Sequence, residues 1–321
     1  MHLRVIQIIA FVFVATTAFF PTFVVAQLVP PIPRPPISRG ETPTQSETIS
    51  PNQDETTPTT PQTSIQPGPE QPITLSAKIQ EGGTFIPNGL TWRIFDTKTD
   101  DSGELALLFK SEEATVTLSL PVGEYLVHVA YGRAQSSDTL LVKPGPNIKS
   151  VVLDAGALRL NSAVTTEIEI QPDQLKFDIF AIGLEGEQVP VVRNVKHNAT
   201  VHLNAGIYNI VSHWGDQNAI VRADIRVEPG QVTEATLFHQ AAQVSFSLVS
   251  SPGGEAIADV EWQVQDQSGE LIFSHLGAFP SAILAEGDYI VIAKSGNAVY
   301  NREFQVQAGR PIEIDVLTTV Y

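Results

Sequence analysis

The sequence predicts an all-β protein: three tandem seven-stranded β-sandwiches that follow a signal peptide and a disordered, Pro/Thr-rich linker. Three observations lead there. The stretch Leu120-Pro121-Val122-Gly123-Glu124-Tyr125 returns as Leu203-Asn204-Ala205-Gly206-Ile207-Tyr208 and as Leu284-Ala285-Glu286-Gly287-Asp288-Tyr289, at intervals of 83 and 81 residues. Apolar and polar residues alternate with period two, as in Ala114, Val116, Leu118 and Leu120 against Thr115, Thr117 and Ser119. Each unit holds about seven such runs in about 80 residues, the strand density of a sandwich.

From the start of the chain, Met1 to Arg4 is basic, Val5 to Phe20 is apolar, and Val24-Val25-Ala26 supplies small residues for cleavage before Gln27. Residues 1–26 therefore read as an export signal, and Pro21, Pro30, Pro31 and Pro33 argue against a spanning helix there. No later window approaches a transmembrane segment. Residues 27–72 carry 12 of the 23 prolines with many Thr, Ser and Gln and no apolar period. Such a stretch cannot offset its ordering entropy by burial, so it is expected to be a disordered linker or stalk.

Past Ile73 the repeats begin, and the landmarks place them at 73–155, 156–240 and 241–321. Trp92, Phe177 and Trp262 recur at intervals of 85 and 85 on an early strand, where alternation with apolar neighbours makes them core. Gly103-Glu104, Gly186-Glu187 and Gly269-Glu270 mark a turn at intervals of 83 and 83. A late turn falls at Pro144-Gly145, Pro229-Gly230 and Ala308-Gly309. In the repeated hexapeptide an apolar residue ends one strand, glycine is expected to give the connection a positive φ, and tyrosine opens the next strand. A tyrosine corner of the immunoglobulin-like kind would join strands in opposite sheets, whereas a plain hairpin would keep them in one. The joins at Asp154-Ala155-Gly156 and His239-Gln240-Ala241 are short, so separate cores in a semi-rigid row are expected.

The chain has no cysteine. Each unit must hold together by its core alone, thiolate chemistry is excluded, and a bacterial source is indicated for an exported protein of this size. The formal charge is -16, and the linker contributes only two arginines against five carboxylates. The acidic excess therefore lies in the sandwiches, where it repels phosphate backbones, so no nucleic-acid partner is expected.

The search for chemistry assigns no catalytic, cofactor-binding or metal-ligating residue and no cofactor. Of seven histidines, His197, His202, His213 and His239 fall in the second unit. None of them aligns with a histidine in another unit, and alternation points His202 and His213 outward from different strands, so solvated surface histidines are the expectation. Asp96-Thr97-Lys98-Thr99-Asp100-Asp101 fails as a calcium loop because Lys98 and Asp101 stand where a ligand and a glycine are needed, and a hairpin turn exposing Asp100 and Asp101 is expected instead. No nucleophile elbow, phosphate loop or zinc-binding helix is present, and Asn198-Ala199-Thr200 carries no assigned role.

Ile86-Pro87-Asn88-Gly89-Leu90-Thr91-Trp92, and Leu120 to Tyr125 with Val127, resemble the carboxypeptidase regulatory-like and prealbumin-like β-sandwich modules of bacterial exported proteins, over about residues 73–321. Related Cna-B modules share the corner and often carry a lysine–asparagine crosslink. Lys78 has no lysine counterpart in Leu158 to Val164 or Val244 to Val249, so that bond is not carried over. The resemblance implies a structural, adhesive or accessory role. The expectation is thus a non-enzymatic, exported periplasmic, extracellular or cell-surface scaffold or adhesive rod, with a protein or polysaccharide of the envelope or host surface as partner. Two alternatives stand beside it: a metal-dependent binder or enzyme using the histidines of the second unit, and a periplasmic assembly factor that presents a sheet edge.

Overall fold

The computed structural model describes residues 68–99 and 103–318; the expected signal, the expected linker up to residue 67 and the expected hairpin turn at Asp100 and Asp101 lie outside the described residues. Among the described residues, twenty-one strands follow one another as three sets of seven. The first set is β1 (Glu70–Lys78), β2 (Leu90–Thr99), β3 (Leu105–Ser111), β4 (Thr115–Pro121), β5 (Gly123–Tyr131), β6 (Ala134–Val142) and β7 (Asn147–Val152). The second is β8 (Ala155–Ala163), β9 (Leu175–Ile182), β10 (Gln188–Lys196), β11 (Thr200–Asn204), β12 (Gly206–Trp214), β13 (Ile220–Val227) and β14 (Val232–Phe238). The third is β15 (Ala241–Val249), β16 (Glu261–Asp266), β17 (Leu271–Leu276), β18 (Ser281–Ala285), β19 (Gly287–Ser295), β20 (Ala298–Val306) and β21 (Ile312–Leu317). One 3-10 turn, Pro172–Gln174, leads into β9.

Each set folds into a sandwich of a three-stranded and a four-stranded sheet, in the orders β4-β1-β7 with β3-β2-β5-β6, β11-β8-β14 with β10-β9-β12-β13, and β18-β15-β21 with β17-β16-β19-β20. In all three the first strand pairs antiparallel with the fourth and parallel with the seventh. The alternation read from the sequence is the burial pattern: Ile73, Leu75 and Ala77 of β1 are fully buried. Pro72 is tolerated inside β1 because the parallel partner β7 starts pairing only at Ile73, so no donor is wanted on that side at Pro72.

The sandwiches have separate cores centred on Trp92, Phe177 and Trp262, each fully buried. Both tryptophans also satisfy their one polar atom, with Nε1–H donating to the carbonyl oxygen of Glu113 at 3.0 Å and of Gly277 at 2.8 Å. The cores are not fully independent. Ile283 of the third sandwich packs into the second core, and Ala155 of the second into the first.

The hexapeptides are tyrosine corners and not hairpins. β4 and β5 lie in opposite sheets, as do β11 and β12, and β18 and β19. The hydroxyls of Tyr125, Tyr208 and Tyr289 donate to the carbonyl oxygens of Pro121, Asn204 and Ala285, four residues back, at 3.0, 2.9 and 2.9 Å. The expected role of the glycine needs correction. Gly123 and Gly206 do not have positive φ, and only Gly287, at 157°, adopts one. The sheet change falls on the one residue before each glycine, and the glycine itself already pairs as the first residue of the new strand. A Cβ at Gly123 would meet the Tyr125 ring at an ordinary 3.6 Å, so the hydroxyl, not glycine torsion, fixes the corner.

Candidate functional site

Each sandwich has a corner end, with the tyrosine corner and the late turn, and a hairpin end, with the β5–β6, β12–β13 or β19–β20 turn. The chain joins the hairpin end of one sandwich to the corner end of the next through only two residues, Leu153-Asp154 and then His239-Gln240. These two joints hold Asn204 and Asn218 in side-chain hydrogen bonds that cross from one sandwich to the next.

At the first joint, Asn204 of the corner reaches across. Its Nδ2 donates to the carbonyl oxygens of Gln135 and Leu153 at 3.0 and 2.8 Å, and its Oδ1 accepts the Gln135 N–H at 3.1 Å. The Ala205 N–H donates to Asp154 O at 2.6 Å, and the Arg133 N–H donates to His202 O at 3.0 Å. Tyr131 lies over the His202 ring with centroids 4.1 Å apart. Burial lowers the His202 pKa, so a neutral ring packs there. Asp154 adopts φ 45°, a left-handed conformation that a carboxylate side chain tolerates better than most.

At the second joint the asparagine comes from the other side. Asn218, in the hairpin turn of the second sandwich, donates from Nδ2 to the Tyr289 hydroxyl at 2.9 Å and accepts the Ala285 N–H at 3.0 Å. The Glu286 N–H donates to Gln240 O at 2.8 Å, repeating the Ala205–Asp154 bond. This turn is two residues longer than Gly132-Arg133 of the first sandwich, and it borders an open polar groove of about 270 Å³ lined in part by Asp173, Gln174, Asp216, Gln217, Gln243 and Ser281. Lys176 and Asp216 form an ion pair at 3.0 Å on its rim.

The four histidines of the second sandwich do not converge. His202 sits at the first joint, while His213 pairs in register with Lys176 towards the opposite end. His213 approaches Asp178 at 3.6 Å, and Arg193 approaches the same carboxylate at 3.8 Å. Among the described residues no three His, Asp or Glu side chains are grouped to hold a metal ion.

The expectation of solvated histidines is overturned at His239, which is 1% exposed. Its Nε2 shares a hydrogen bond of 2.8 Å with the Ser212 hydroxyl, which shares another of 2.8 Å with Ser162. Nδ1 is buried with no partner among the described residues. Burial, and then the neighbouring His213, bring its pKa down to about 4. His239 falls in the short join, where no strand alternation predicts the direction of a side chain, and it turns back onto its own sandwich, against Ser212 and the edge of Trp214. His202 is outward from its own core but covered by Tyr131 of the preceding sandwich. Asn204 could have been noticed as the polar residue standing where the other corners have Pro121 and Ala285.

With the fold in place, comparison with known proteins gives a match over residues 243–318, from β15 to the end of β21, to the model of the Rhizobiales growth-associated tandem repeat domain. By sequence, no curated protein matches the chain. Among solved structures it is similar to the Bacillus anthracis TIE protein, at 14% identity over 77% of this chain and 50% of that one, with a TM-score of 0.23; it thus spans about half that protein's length. It is also similar to a streptococcal ancillary pilin, at 11% identity over 78% of this chain and 100% of that one, with a TM-score of 0.31. A third similarity is to BcpA, the major pilin subunit of Bacillus cereus, at 10% identity over 78% and 100%, with a TM-score of 0.21.

Proposed function

We propose that this chain is a non-enzymatic exported protein of the bacterial cell envelope or surface. Three sandwich domains, at about residues 73–155, 156–240 and 241–321, form a stiff spacer and hold a protein or polysaccharide partner at a set distance. The observation that carries this reading is the pair of joints. Each is closed by an asparagine that bonds main chain or a corner tyrosine across the boundary, and by a main-chain bond into a two-residue link. Flexible tethers between independent domains would have longer, unbonded connections. The growth-associated repeat matched by the third sandwich supports a bacterial setting and a part in growth. The apolar start of the chain supports export.

Cell fractionation followed by crosslinked pull-down tests the placement: recovery of the chain in the envelope or outside the cell, with a reproducible partner, is expected, and recovery in the cytoplasm rejects it. Spin labels on the first and third sandwiches test the stiffness, where one narrow distance is expected and a broad distribution rejects the spacer.

A further inference from the structure

The two joints repeat one design, and its parts recur at the two outer ends of the array. The hairpin-end glycines Gly132, Gly215 and Gly296 have φ of 62°, 71° and 59°, so all three make the same left-handed turn. The first two are covered by the next sandwich: a Cβ at Gly132 would lie 3.1 Å from His202 Cβ, and one at Gly215 3.0 Å from Ile283 Cγ1. His202 and Ile283 hold the same place in their sandwiches, two residues before the residues that pair with Ala155 and Ala241. At Gly296 a Cβ would meet nothing within 4 Å among the described residues.

The third hairpin end also keeps the polar half of the second joint. Asn218 stands just before Ala219, and Asn297 stands just before Ala298 in the corresponding turn, where it is exposed. Asn218 uses its amide on a corner tyrosine hydroxyl and on the N–H of the residue four before it. Asn297 is free to offer the same pair of groups to another corner end.

The first corner end differs in two positions. Pro121 stands where Asn204 and Ala285 stand in the joints, and proline has neither the N–H that Ala285 gives nor the amide that Asn204 gives. Gln71 pairs opposite Leu120, in the place held by Gly156 opposite Leu203 and Ala242 opposite Leu284. Its side chain spans the late turn, with Oε1 accepting the Gly145 N–H at 2.7 Å and Nε2 donating to Pro69 O at 3.0 Å. In the joined sandwiches the equivalent turn donors, Gly230 and Gly309, instead bond the main-chain carbonyls of Ala155 and Ala241, and these turns lie against the preceding sandwich.

We propose that the hairpin end of the third sandwich is a docking face for the corner end of another β-sandwich, one that presents a tyrosine corner with a free main-chain N–H, and that Gln71 and Pro121 close the first sandwich's own corner end to it. The array is then capped at one end and open at the other, as tandem-repeat assemblies require of a terminal unit. Capping prevents copies of the chain from stacking head to tail, the arrangement that a heterologous contact would otherwise propagate. This holds whether or not the envelope role is correct, since it rests on the joints alone.

The test is sedimentation velocity on the full chain, with the probe made from the chain itself. The wild type is expected to sediment as a monomer at all concentrations. The variant Gln71→Gly with Pro121→Ala, its corner end now opened, is expected to associate head to tail, with the mean mass at least doubling and still rising with concentration. Adding Gly296→Trp to that variant is expected to return it to monomer. An opened variant that stays monomeric, or one whose association ignores Gly296→Trp, overturns the docking face. A wild type that associates through Gly296 overturns the cap. Should that double variant fail to fold by circular dichroism, the milder Gln71→Ala with Pro121→Ala must show the same concentration-dependent shift, and its absence there counts against the proposal.

Discussion

The floor of the first sandwich and the floor of the second occupy the same places in the fold with opposite chemistry. Ala77, Val129 and Leu153 line the first, whereas Ser162, Ser212 and His239 line the second, each in the same register position against its neighbours. The first floor is held by contact alone. The second is held by a chain of two hydrogen bonds that ends on a buried, unpaired Nδ1. The difference teaches that the sandwich fixes where a side chain points and tolerates what it is, provided its polar atoms are paired. The one unpaired atom makes the second floor sensitive to acid in a way the first cannot be.

The largest expected effects break the equivalence of the cores. Trp92→Ala and Trp262→Ala should each cost about 3–5 kcal/mol. Because the cores are separate, hydrogen exchange should rise in the mutated sandwich and the one it touches, and not across all three. Exchange rising equally everywhere would show a single cooperative core.

Next comes acid. The unfolded chain protonates His239 near pH 6.5 and the folded chain only near 4, so the unfolded state binds the extra proton between those values. Stability from this site is complete above about pH 6.5 and falls as pH is lowered towards 4, by on the order of 2–3 kcal/mol. Thermal melts across that range should show the second sandwich weakening, and His239→Leu, which copies Leu153, should flatten the dependence. An unchanged pH slope in His239→Leu would assign the effect elsewhere.

A smaller effect separates the joints. Asn204→Ala removes three hydrogen bonds and Asn218→Ala two, so losses of about 1–3 kcal/mol are expected, greater for Asn204. Spin-label distances across the affected joint should broaden in each. The smallest expected change is at the corners, where Tyr208→Phe keeps the ring and removes one hydrogen bond, costing about 1 kcal/mol in denaturant unfolding.

What the sequence discloses here follows from what repeats. The strands alternate with period two, so β4 and β5 could be placed to within a few residues, and the tyrosines, the two tryptophans and Phe177 could be given to cores and corners. What lies between repeats has no such period. Asn204 acts only once two sandwiches are set against each other, and His239 lies in a two-residue link where there is no alternation to read. The corner glycine misled for a different reason: glycine suggested a torsion, where Tyr125 and its partner Pro121 O already fix the bend. Gln71 looked like the tail of the linker because it is flanked by Pro69 and Pro72, yet it is part of β1 and covers the late turn.

In every sandwich the strand through which the chain enters lies beside the strand through which it leaves, side by side and running the same way. In the second, Ala157 to Ala163 of β8 match Val232 to Phe238 of β14 rung for rung. A tug along the polypeptide would therefore slide these two strands past each other, straining the whole ladder at once instead of opening it from one end like a zip. Mechanical load would be shared among all the rungs, so a protein that resists being pulled apart is a property of this connectivity even where each single contact is modest.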